Sequence, residues 1–447
     1  MLELHPPRPY DPAACPLFAA SDASPEDLLE PSRGLVNNYA NLPPYYDEPR
    51  FFHVLVRLAV ASEIERDDEA DDAILSASGA SLDKRRALWK ALGEAVERNA
   101  LVFSERVELR FDSYANLAGN ALDPNAVVGG SSLRPPDRGQ LSFGWVPGFR
   151  VGDSEAAWIP AQLVYVPYVF QEGEPLLRGP MSTGAAAGPT LAQALYRGLL
   201  EVIERDAFML AWLGQGVLSE IRPDGLPDSS PYRDLCHRTL EKIRRYRLEP
   251  KFYLLPTDTP AAAVMCVLWD RSGIGPPVTV GAKASCDLTE SILGALEEAQ
   301  QLRPWLRSLL ERKGTPRGDL AAVPGPATLT ERAELWLTAD ASRRLKGWLA
   351  TASVADVPSM TAPPLSLGDL IASVEACGGT AYAVDLTPDL AHRSGLSVAK
   401  VVVPQFQPLY LDERIRDIAW PRVARARKLG HNEAAAVGVE TYPHPFL

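Results

Sequence analysis

Two stretches of the chain carry glutamates at the same short spacing. One reads LGEAVERNA and contains Glu94 and Glu97; the other reads LEVIERDA and contains Glu201 and Glu204. Side chains three positions apart project from the same face of a helix, so two such helices facing each other would place four carboxylates around one cavity. Carboxylates this close repel one another unless cations neutralise them. Because Mg²⁺ prefers oxygen ligands and is commonly bound with phosphates, the pattern predicts a nucleoside triphosphate with its metal ions.

An arginine follows each glutamate pair. Arg98 and Arg205 stand four positions after Glu94 and Glu201, respectively. Glu–Arg pairs at this spacing ordinarily decorate exposed helix surfaces. Apolar residues flank both motifs, which favours partial burial. The spacing alone leaves both interpretations open.

The turn before the second motif, STGAAAG from Ser182 to Gly188, is built of small residues. Small residues let another backbone or a ligand approach closely, and the N-terminus of the following helix favours anions. The turn is not a Walker motif, because the GxxxxGK[ST] pattern is absent. It is typical of a tight packing turn and could also accommodate phosphates.

Strand-like and helix-like segments alternate along the chain, which predicts an α+β (mixed α/β) fold. The repeated motif further suggests pseudo-symmetric helix and sheet halves around a central site. Helices are predicted over residues 83–103, 190–213, 237–247, 289–310, 365–376 and 412–429. Strands are predicted over residues 51–61, 158–170, 251–255, 262–269, 278–284, 381–384 and 397–403.

The domain organisation predicted from composition is an N-terminal arm and cap over residues 1–70, followed by one catalytic domain over 71–447. Residues 123–138 and 314–326 are rich in turn formers and are predicted to be a surface loop and a linker, and residues 442–447 a proline-rich tail.

Charge and cysteine content narrow the function classes. The 447 residues carry a net charge of −12, which argues against nucleic acid as the main partner. Hydrophobic residues make up 46% and charged residues 23%, as in ordinary globular proteins. The five cysteines include no CxxC pair, which is typical of free thiols in a cytoplasmic protein. Neither a signal peptide nor an apolar run long enough to span a membrane is found, so no membrane partner is expected.

Five segments in order resemble the YcaO family, in particular its azole-forming cyclodehydratase (D protein) branch. The segments are ALWKALGEAVERNAL (87–101), STGAAAGPTLAQALYRGLLEVIERDAF (182–208), ALEEAQQLR (295–303), VVVPQFQPL (401–409) and PHPFL (443–447). The resemblance covers roughly residues 30–447. It implies a YcaO-type fold around a central ATP site.

The resemblance also implies roles for individual residues. The metal-binding residues it implies are Glu94, Glu97, Glu201 and Glu204. The nucleotide-binding residues it implies are Arg98, Ser182, Gln193, Arg205, Glu298, Gln301 and Arg303. ATP and Mg²⁺ would be the cofactors. The tail would reach the active site, and the terminal carboxylate of Leu447 or the side chain of His444 would act as general base, with Pro443 and Pro445 stiffening the approach.

The reaction implied by the resemblance is a cyclodehydration. A Cys, Ser or Thr side chain of a ribosomal precursor peptide attacks the preceding carbonyl, ATP phosphorylates the amide oxygen, and loss of phosphate leaves a thiazoline or oxazoline. The expected partners are the precursor peptide, a separate leader-binding protein resembling ubiquitin-activating enzymes, and a second copy of the chain in a homodimer within a larger complex.

Several positions depart from the family pattern. The chain has Ala80 where the family has a lysine, Pro189 where it has an asparagine, Gln193 where a further glutamate is usual, and Leu447 where the tail ends in proline. These departures leave two alternatives open. The first is another amide-activating reaction of the family, giving a thioamide or an amidine. The second is a degenerate, non-catalytic scaffold subunit.

Overall fold

The architecture is described from a computed structural model, which covers residues 3–13, 25–30, 35–59, 75–104, 107–117, 119–129, 138–316, 325–355, 365–429 and 439–447. Its helices are α1 (Pro25–Leu29), α2 (Lys84–Leu101), α3 (Leu191–Gly214), α4 (Arg233–Arg244), α5 (Leu288–Gln301), α6 (Arg303–Lys313), α7 (Leu329–Trp336), α8 (Ala339–Leu349), α9 (Leu367–Ala376), α10 (Asp389–Arg393) and α11 (Trp420–Leu429). Its strands are β1 (Val36–Asn41), β2 (Phe52–Leu58), β3 (Ser76–Ser81), β4 (Arg110–Ser113), β5 (Ser142–Arg150), β6 (Ala156–Pro160), β7 (Ala185–Gly188), β8 (Ser219–Ile221), β9 (Leu248–Leu254), β10 (Ala262–Asp270), β11 (Val278–Ser285), β12 (Ser353–Ala355), β13 (Tyr382–Asp385) and β14 (Ser397–Val402).

The described strands form three sheets. Their orders are β1-β2-β3, β4-β5-β13-β14-β7 with β6 added on β5, and β11-β10-β9-β8-β12. All neighbouring strands are antiparallel except β8 and β12. The strands β3, β7 and β11 each lie at an edge of their sheet, and each leads directly into a long helix. Their outer backbone N–H groups therefore need partners from outside the sheet.

The helix α2 packs closely on β3 because small residues line the contact. Ala87, Ala91 and Ala95 are buried on one face of the helix. A side chain on Gly79 would come within 2.2 Å of the carbonyl oxygen of Ala87, so the strand and the helix meet backbone to backbone. Asp83 begins the helix by accepting a hydrogen bond from the amide of Arg86.

The helix α3 is the centre of the molecule. Nearly all of its 24 residues are buried, and its two halves belong to different hydrophobic clusters. Its first half packs with β14 and α9, whereas its second half packs with β10, β11 and α8. A helix buried all round is expected only when other elements surround it.

The predicted mixed α and β fold is confirmed, and so are the helices expected near residues 83–103 and 190–213. Several predicted elements were wrong. The strand expected over 158–170 ends at Pro160, and the last four residues of the predicted 182–188 turn form β7 against β14. The helix expected over 289–310 is broken at Leu302, because Pro304 in the first turn of α6 cannot donate the hydrogen bond that would continue α5.

The C-terminal helix begins at Trp420 rather than at residue 412. Most of the predicted 314–326 linker, residues 317–324, lies outside the described residues. The predicted division at residue 70 falls between β2 and β3, which pair in one sheet. No helix in the described ranges combines the length and the apolar character needed to cross a membrane.

Candidate active site

Three strand–helix units surround the predicted site: β3 with α2, β7 with α3, and β11 with α5. In each unit a side-chain oxygen caps the helix just after the strand, from Asp83, Thr190 and Asp287. Each helix carries two Glu or Gln residues three positions apart. These pairs are Glu94 and Glu97, Glu201 and Glu204, and Glu298 and Gln301.

The first member of each pair binds the strand of its own unit. Glu94 accepts a hydrogen bond from the amide of Ser78 (2.7 Å), and Glu298 accepts one from the amide of Ala282 (2.6 Å). Glu201 accepts from the amide of Gly184, immediately before β7, at 3.4 Å. The glutamates thus satisfy edge-strand donors that no neighbouring strand can reach.

The second member of each pair binds the strand of the next unit. Glu97 of α2 accepts from Ala187 of β7 (2.7 Å), and Glu204 of α3 accepts from Ala284 of β11 (2.7 Å). The series closes on itself, because Gln301 of α5 accepts from Ala80 of β3 at 3.2 Å. Three helices and three edge strands therefore form a closed ring, which we call the acidic ring.

Burial raises the pKa of the carboxylates in the acidic ring. It raises the pKa of Glu97 to about 8, and the negative charges of Glu201 and Glu94 add to the effect, while the Ala187 amide opposes it. Burial likewise raises the pKa of Glu298 to about 7, with Glu204 adding to it. The pKa of Glu201 is also raised, again mainly by burial. A divalent cation would remove the like-charge repulsion that helps to raise these pKa values.

Arg205 lies within ion-pair distance of three carboxylates at this site. Its guanidinium lies 2.8 Å from Glu204, 3.7 Å from Glu298 and 3.8 Å from Glu201. One side of the guanidinium is covered by the ring of Phe446, 4.0 Å from the ring centroid. The geometry therefore brings residues of α3, α5 and the C-terminal tail together around one positive charge.

Arg98 lies nearer the edge of the acidic ring. Its guanidinium pairs with Glu94 at 2.7 Å, and both side chains are about one-third exposed. Burial therefore differs between the two Glu–Arg motifs. The α3 motif is largely buried, whereas the first pair of the α2 motif keeps the partly exposed i,i+4 contact that its spacing alone would suggest.

Comparison with known proteins identifies the family. The family model described as YcaO cyclodehydratase, ATP- and Mg²⁺-binding, matches residues 78–407. The chain belongs to the YcaO family. An uncharacterized protein from Methanothermobacter thermautotrophicus is 27% identical over 236 residues, which cover 52% of this chain and 58% of that protein.

Solved structures share the fold. A heterocyclase in complex with substrate and cofactor has a TM-score of 0.69 at 19% identity and covers 96% of this chain, but 59% of the heterocyclase chain. YcaO from Methanopyrus kandleri bound with AMPPCP and Mg²⁺ has a TM-score of 0.61 at 20% identity, covering 88% of this chain and 92% of that one. The E. coli microcin synthetase McbBCD complex with pro-MccB17 bound has a TM-score of 0.59 at 15% identity, covering 82% and 88%. This chain thus spans less than two thirds of the archaeal relative and of the heterocyclase.

The family assignment confirms the YcaO resemblance seen in the sequence. The description of the family model also confirms, at the level of the family, the predicted cofactors ATP and Mg²⁺. Among the described residues of this YcaO chain, no group of three or more His, Cys, Asp or Glu side chains could hold a metal ion by itself. The four-carboxylate cage expected from the sequence is therefore not formed. Each of the four carboxylates accepts a backbone hydrogen bond, so Mg²⁺ would need phosphate or water oxygens as further ligands.

Two predicted nucleotide-binding residues lie at the entry to α3. Ser182 is exposed, and its carbonyl accepts a hydrogen bond from Ala185 in the turn that leads into β7. Gln193 is buried in the first turn of α3, where its amide donates to the Thr190 hydroxyl at 3.3 Å. The printed bond of Ser182 lies within the turn before β7, and the amide of Gln193 joins the first turn of α3 to its cap at Thr190.

Arg303 requires a correction. Its guanidinium is 1% exposed and pairs with Glu48 at 2.6 Å and with Asp270 at 2.8 Å. A further hydrogen bond goes to the carbonyl of Pro276. Because these partners occupy it within the protein core, Arg303 is not a nucleotide-binding residue in this structure; it joins the N-terminal region to β10 and α6.

The tail is inserted into the protein, and the role predicted for His444 needs correction. The His444 ring is fully buried; its Nε2 lies 2.6 Å from the carbonyl oxygen of Tyr410, and its Nδ1 accepts from the amide of Phe446 at 3.3 Å. Burial lowers its pKa far below the usual value. Because both ring nitrogens bond to backbone, His444 holds the tail in place and is not available as a general base.

The remaining predicted tail residues also pack against the protein. Pro443 and Pro445 are buried. The side chain of Leu447 packs at the cluster formed by α6 and α7. Phe446, which the sequence analysis did not single out, is the tail residue that contacts the acidic ring through Arg205.

Two lysines near the site also escaped the sequence analysis. Lys400 of β14 is almost fully buried and donates to the carbonyls of Met181 (2.5 Å) and Thr183 (2.7 Å), beside a cavity of about 30 Å³. Burial lowers its pKa to about 7. The sequence signal for it was a single lysine inside the apolar run Val398–Val403. The second is Lys283 of β11, whose ammonium lies 3.9 Å from Glu204.

Lys90 lies close to Ala80, the position at which the chain lacks the lysine of the family pattern. The ammonium of Lys90, on α2, donates to the carbonyl of Ala80 at 3.3 Å and lies 3.4 Å from the buried carboxylate of Glu297. Arg86, one turn earlier, pairs with the same carboxylate at 3.0 Å. A positive charge therefore lies beside β3 although the strand itself carries no lysine.

Proposed function

We propose that this protein uses ATP and Mg²⁺ to convert Cys, Ser or Thr residues of a precursor peptide into thiazoline or oxazoline rings. The observation that carries the proposal is the acidic ring, where Glu97, Glu201 and Glu298 are partly buried carboxylates with raised pKa values. Arg205 lies 3.8 Å from Glu201 and 3.7 Å from Glu298. Such a cluster is costly to bury without a cationic ligand, so its presence points to function.

Mg²⁺ and nucleotide phosphates fit this set of residues. Glu94, Glu97, Glu201 and Glu204 are the proposed carboxylate ligands, and phosphate and water oxygens would complete the coordination of each ion. Arg205 and Arg98 would neutralise phosphate oxygens, and Glu298 and Gln301 would hold the third unit of the acidic ring in place. Ser182 and Gln193 are proposed to shape the approach to the nucleotide through the turn before α3.

The proposed reaction uses one ATP for each ring. The Sγ or Oγ of the substrate attacks the preceding carbonyl carbon, and the carbonyl oxygen takes the terminal phosphoryl group of ATP, which leaves as ADP. Departure of that oxygen in inorganic phosphate then forms the C=N bond of the ring, while the side-chain and amide protons pass to solvent. The peptide thus loses one water per ring. When bound, ATP and Mg²⁺ supply the phosphoryl group and charge neutralisation.

The protein itself has to position the reactants, because the peptide brings the nucleophile. Holding two reactants in a productive arrangement is worth several orders of magnitude in rate. Arg205 is placed to stabilise charge on the transferring group, and Phe446 fixes Arg205 from the tail side. We further propose that Pro443, Pro445 and Leu447 border the place where the peptide enters.

The partners proposed are a precursor peptide and a separate protein that binds its leader, with two copies of this chain at the core of the complex. The support is analogy alone. Related folds occur in a heterocyclase in complex with substrate and cofactor and in the McbBCD complex with pro-MccB17 bound.

The proposal is tested with the protein, its partner and a candidate precursor peptide. Release of ADP and phosphate should depend on the peptide, and mass spectrometry should show loss of one water per modified residue. A Glu97→Gln, Glu201→Gln double variant should lose turnover by at least about 100-fold, since both carboxylates belong to the proposed Mg²⁺ site. Glu249→Gln, which removes a partly exposed pair with Arg271, is the matched control and should retain activity.

Each other outcome points to a different function. Exchange of oxygen for sulfur would establish a thioamide-forming enzyme, and coupling of an amine would establish amidine formation. A protein that fails to bind MgATP while still binding its partner would be a scaffold, the alternative raised by Ala80, Pro189 and Gln193. Full turnover by the double variant would refute the proposed site.

A further inference from the structure

Lys283 lies on β11 between the two residues that anchor one side of the acidic ring. The amides of its neighbours Ala282 and Ala284 donate to Glu298 and Glu204. Its own side chain is 42% exposed, and its ammonium is 3.9 Å from Glu204. Lys283 therefore combines a position inside the ring with access from solvent.

The stem of Lys283 crosses α5 at a residue without a side chain. A Cβ built on Gly294 would come within 2.6 Å of the Lys283 Cγ and 3.1 Å of its Cβ and Cδ. Glycine inside a helix costs about 0.5–1 kcal/mol relative to alanine. Here that cost has a physical reason, because only glycine leaves a path for the lysine across the helix.

The ammonium of Lys283 has hydrogen-bonding capacity that the protein does not use. Four carboxylates around it, those of Glu201, Glu204, Glu290 and Glu298, raise its pKa against the opposing effect of burial, so it stays charged. Its ion pair with Glu204 is too long for a hydrogen bond. Within the described residues, it donates no hydrogen bond to protein.

Arg205 has less access to solvent than Lys283, since its side chain is 12% exposed against 42% for the lysine. Its guanidinium is shared among three carboxylates and covered on one side by Phe446. A lysine ammonium has three rotatable donors and binds phosphate as a point charge. Lys283 is therefore the better-placed of the two cations to gain new hydrogen bonds from an incoming anion.

We propose that Lys283 binds a terminal phosphate oxygen of the nucleotide and distinguishes a triphosphate from a monophosphate. This inference rests on the proposed ATP site of the acidic ring. Gly294 acts as a positioning residue, since it sets the direction of the lysine stem. The glutamates then hold the ammonium charged and oriented before the nucleotide arrives.

The test is calorimetric binding of ATP and of AMP, each with Mg²⁺, to the full-length protein. A charge-assisted hydrogen bond supports an expected loss of about 10-fold or more in ATP affinity for Lys283→Met. AMP affinity should stay within about 2-fold of the wild type, because AMP lacks the terminal phosphate. Lys283→Arg should retain most of the ATP affinity, and Gly294→Ala should give an intermediate loss.

The matched control is Lys251→Met, on β9 of the same sheet, where the lysine pairs with Glu220. It should bind both nucleotides as the wild type does. Wild-type ATP affinity in Lys283→Met, or equal losses for ATP and AMP, would overturn the inference. If Lys283→Met fails to fold, Gly294→Ala decides: unchanged ATP affinity there also overturns it.

The same measurements separate this inference from the proposed function. A wild-type protein that binds ATP but forms no ring in the peptide would refute the proposed reaction and leave the role of Lys283 standing. A wild-type protein that makes rings, with Lys283→Met binding ATP normally, would refute only the role of Lys283.

Discussion

Burial decides the role of the charged side chain of Arg303. The guanidinium bonds to Glu48, Asp270 and a carbonyl, so removing it would leave two buried carboxylates without their cation. Breaking a buried ion pair from one side typically destabilises a protein by about 3–5 kcal/mol. We expect Arg303→Met to lower the free energy of unfolding in urea by this amount, while the folded protein binds MgATP with unchanged affinity.

The control for Arg303 is Arg312→Ala, on the exposed end of the neighbouring helix α6, which should change the unfolding free energy by less than about 0.5 kcal/mol. A marked loss of MgATP affinity in Arg303→Met under conditions where it is folded would return Arg303 to the nucleotide site.

The glutamates of the acidic ring could be predicted from the sequence, but the surroundings of Arg303 could not. Glu201 and Glu204 could be predicted because helical spacing is local and repeats at Glu94 and Glu97. The partner Glu48 lies 255 positions from Arg303, and nothing local in the sequence relates them. Long-range pairs of this kind depend on tertiary packing, which spacing along the chain does not encode.

The equivalence of the α5 unit to the other two units of the acidic ring could not be predicted from the sequence either. Two units could be matched by their shared Glu-Arg pattern. In the α5 unit the pair consists of Glu298 and Gln301, and Leu302 follows in place of an arginine. The equivalence of this unit is therefore seen in its hydrogen bonds and not in its sequence. The closed order of the ring also could not be predicted, because it depends on three sheet edges meeting, and edge position is a property of strand pairing.

Gln301 provides a test of the contact that closes the ring between α5 and β3. Its oxygen accepts from Ala80, and its nitrogen donates to the carbonyl (3.1 Å) and hydroxyl (2.8 Å) of Ser78. Gln301→Met keeps the volume but loses all three bonds and leaves backbone groups unpaired. The expected decrease in unfolding free energy is about 1–3 kcal/mol.

The neighbouring Gln300 is a matched control for Gln301. It lies on the same helix and is buried, but its side-chain oxygen finds no hydrogen-bond partner in the described part of the chain. Gln300→Met should therefore be nearly neutral. Equal effects of the two substitutions in thermal and urea unfolding would mean that the α5–β3 contact has no special stabilising role.

At the scale of the whole molecule, the C-terminal tail connects distant elements to the site. The carbonyl of His444 accepts from Arg332 and from Trp336, both at 3.0 Å, on α7. The carbonyl of Tyr442 accepts from Trp212 of α3. A proline-rich terminus predicts a stiff tail, but its insertion between α3 and α7 follows from side chains far away in the sequence.

The buried His444 makes the seating of this tail dependent on pH. The folded protein holds the ring neutral, because burial and the nearby charges of Arg332, Arg416 and Arg205 lower its pKa well below 6.5. Below about pH 6.5 the unfolded chain therefore binds a proton that the native chain does not, and stability falls as the pH falls. Above that pH the contribution is fully present. Protonation would also turn Nδ1 into a donor facing the Phe446 amide, which would push the tail away from Arg205.

The measurement is the free energy of unfolding in urea between pH 5 and pH 8. His53, whose pKa is lowered to about 4 mainly by burial, acts in the same direction, so the two histidines must be separated by substitution. His444→Gln keeps a donor for Tyr410 and should reduce the slope below pH 6.5 by up to about 1.4 kcal/mol per pH unit, the value for one proton. An unaltered slope in His444→Gln would mean that the tail histidine takes up its proton without disturbing the fold.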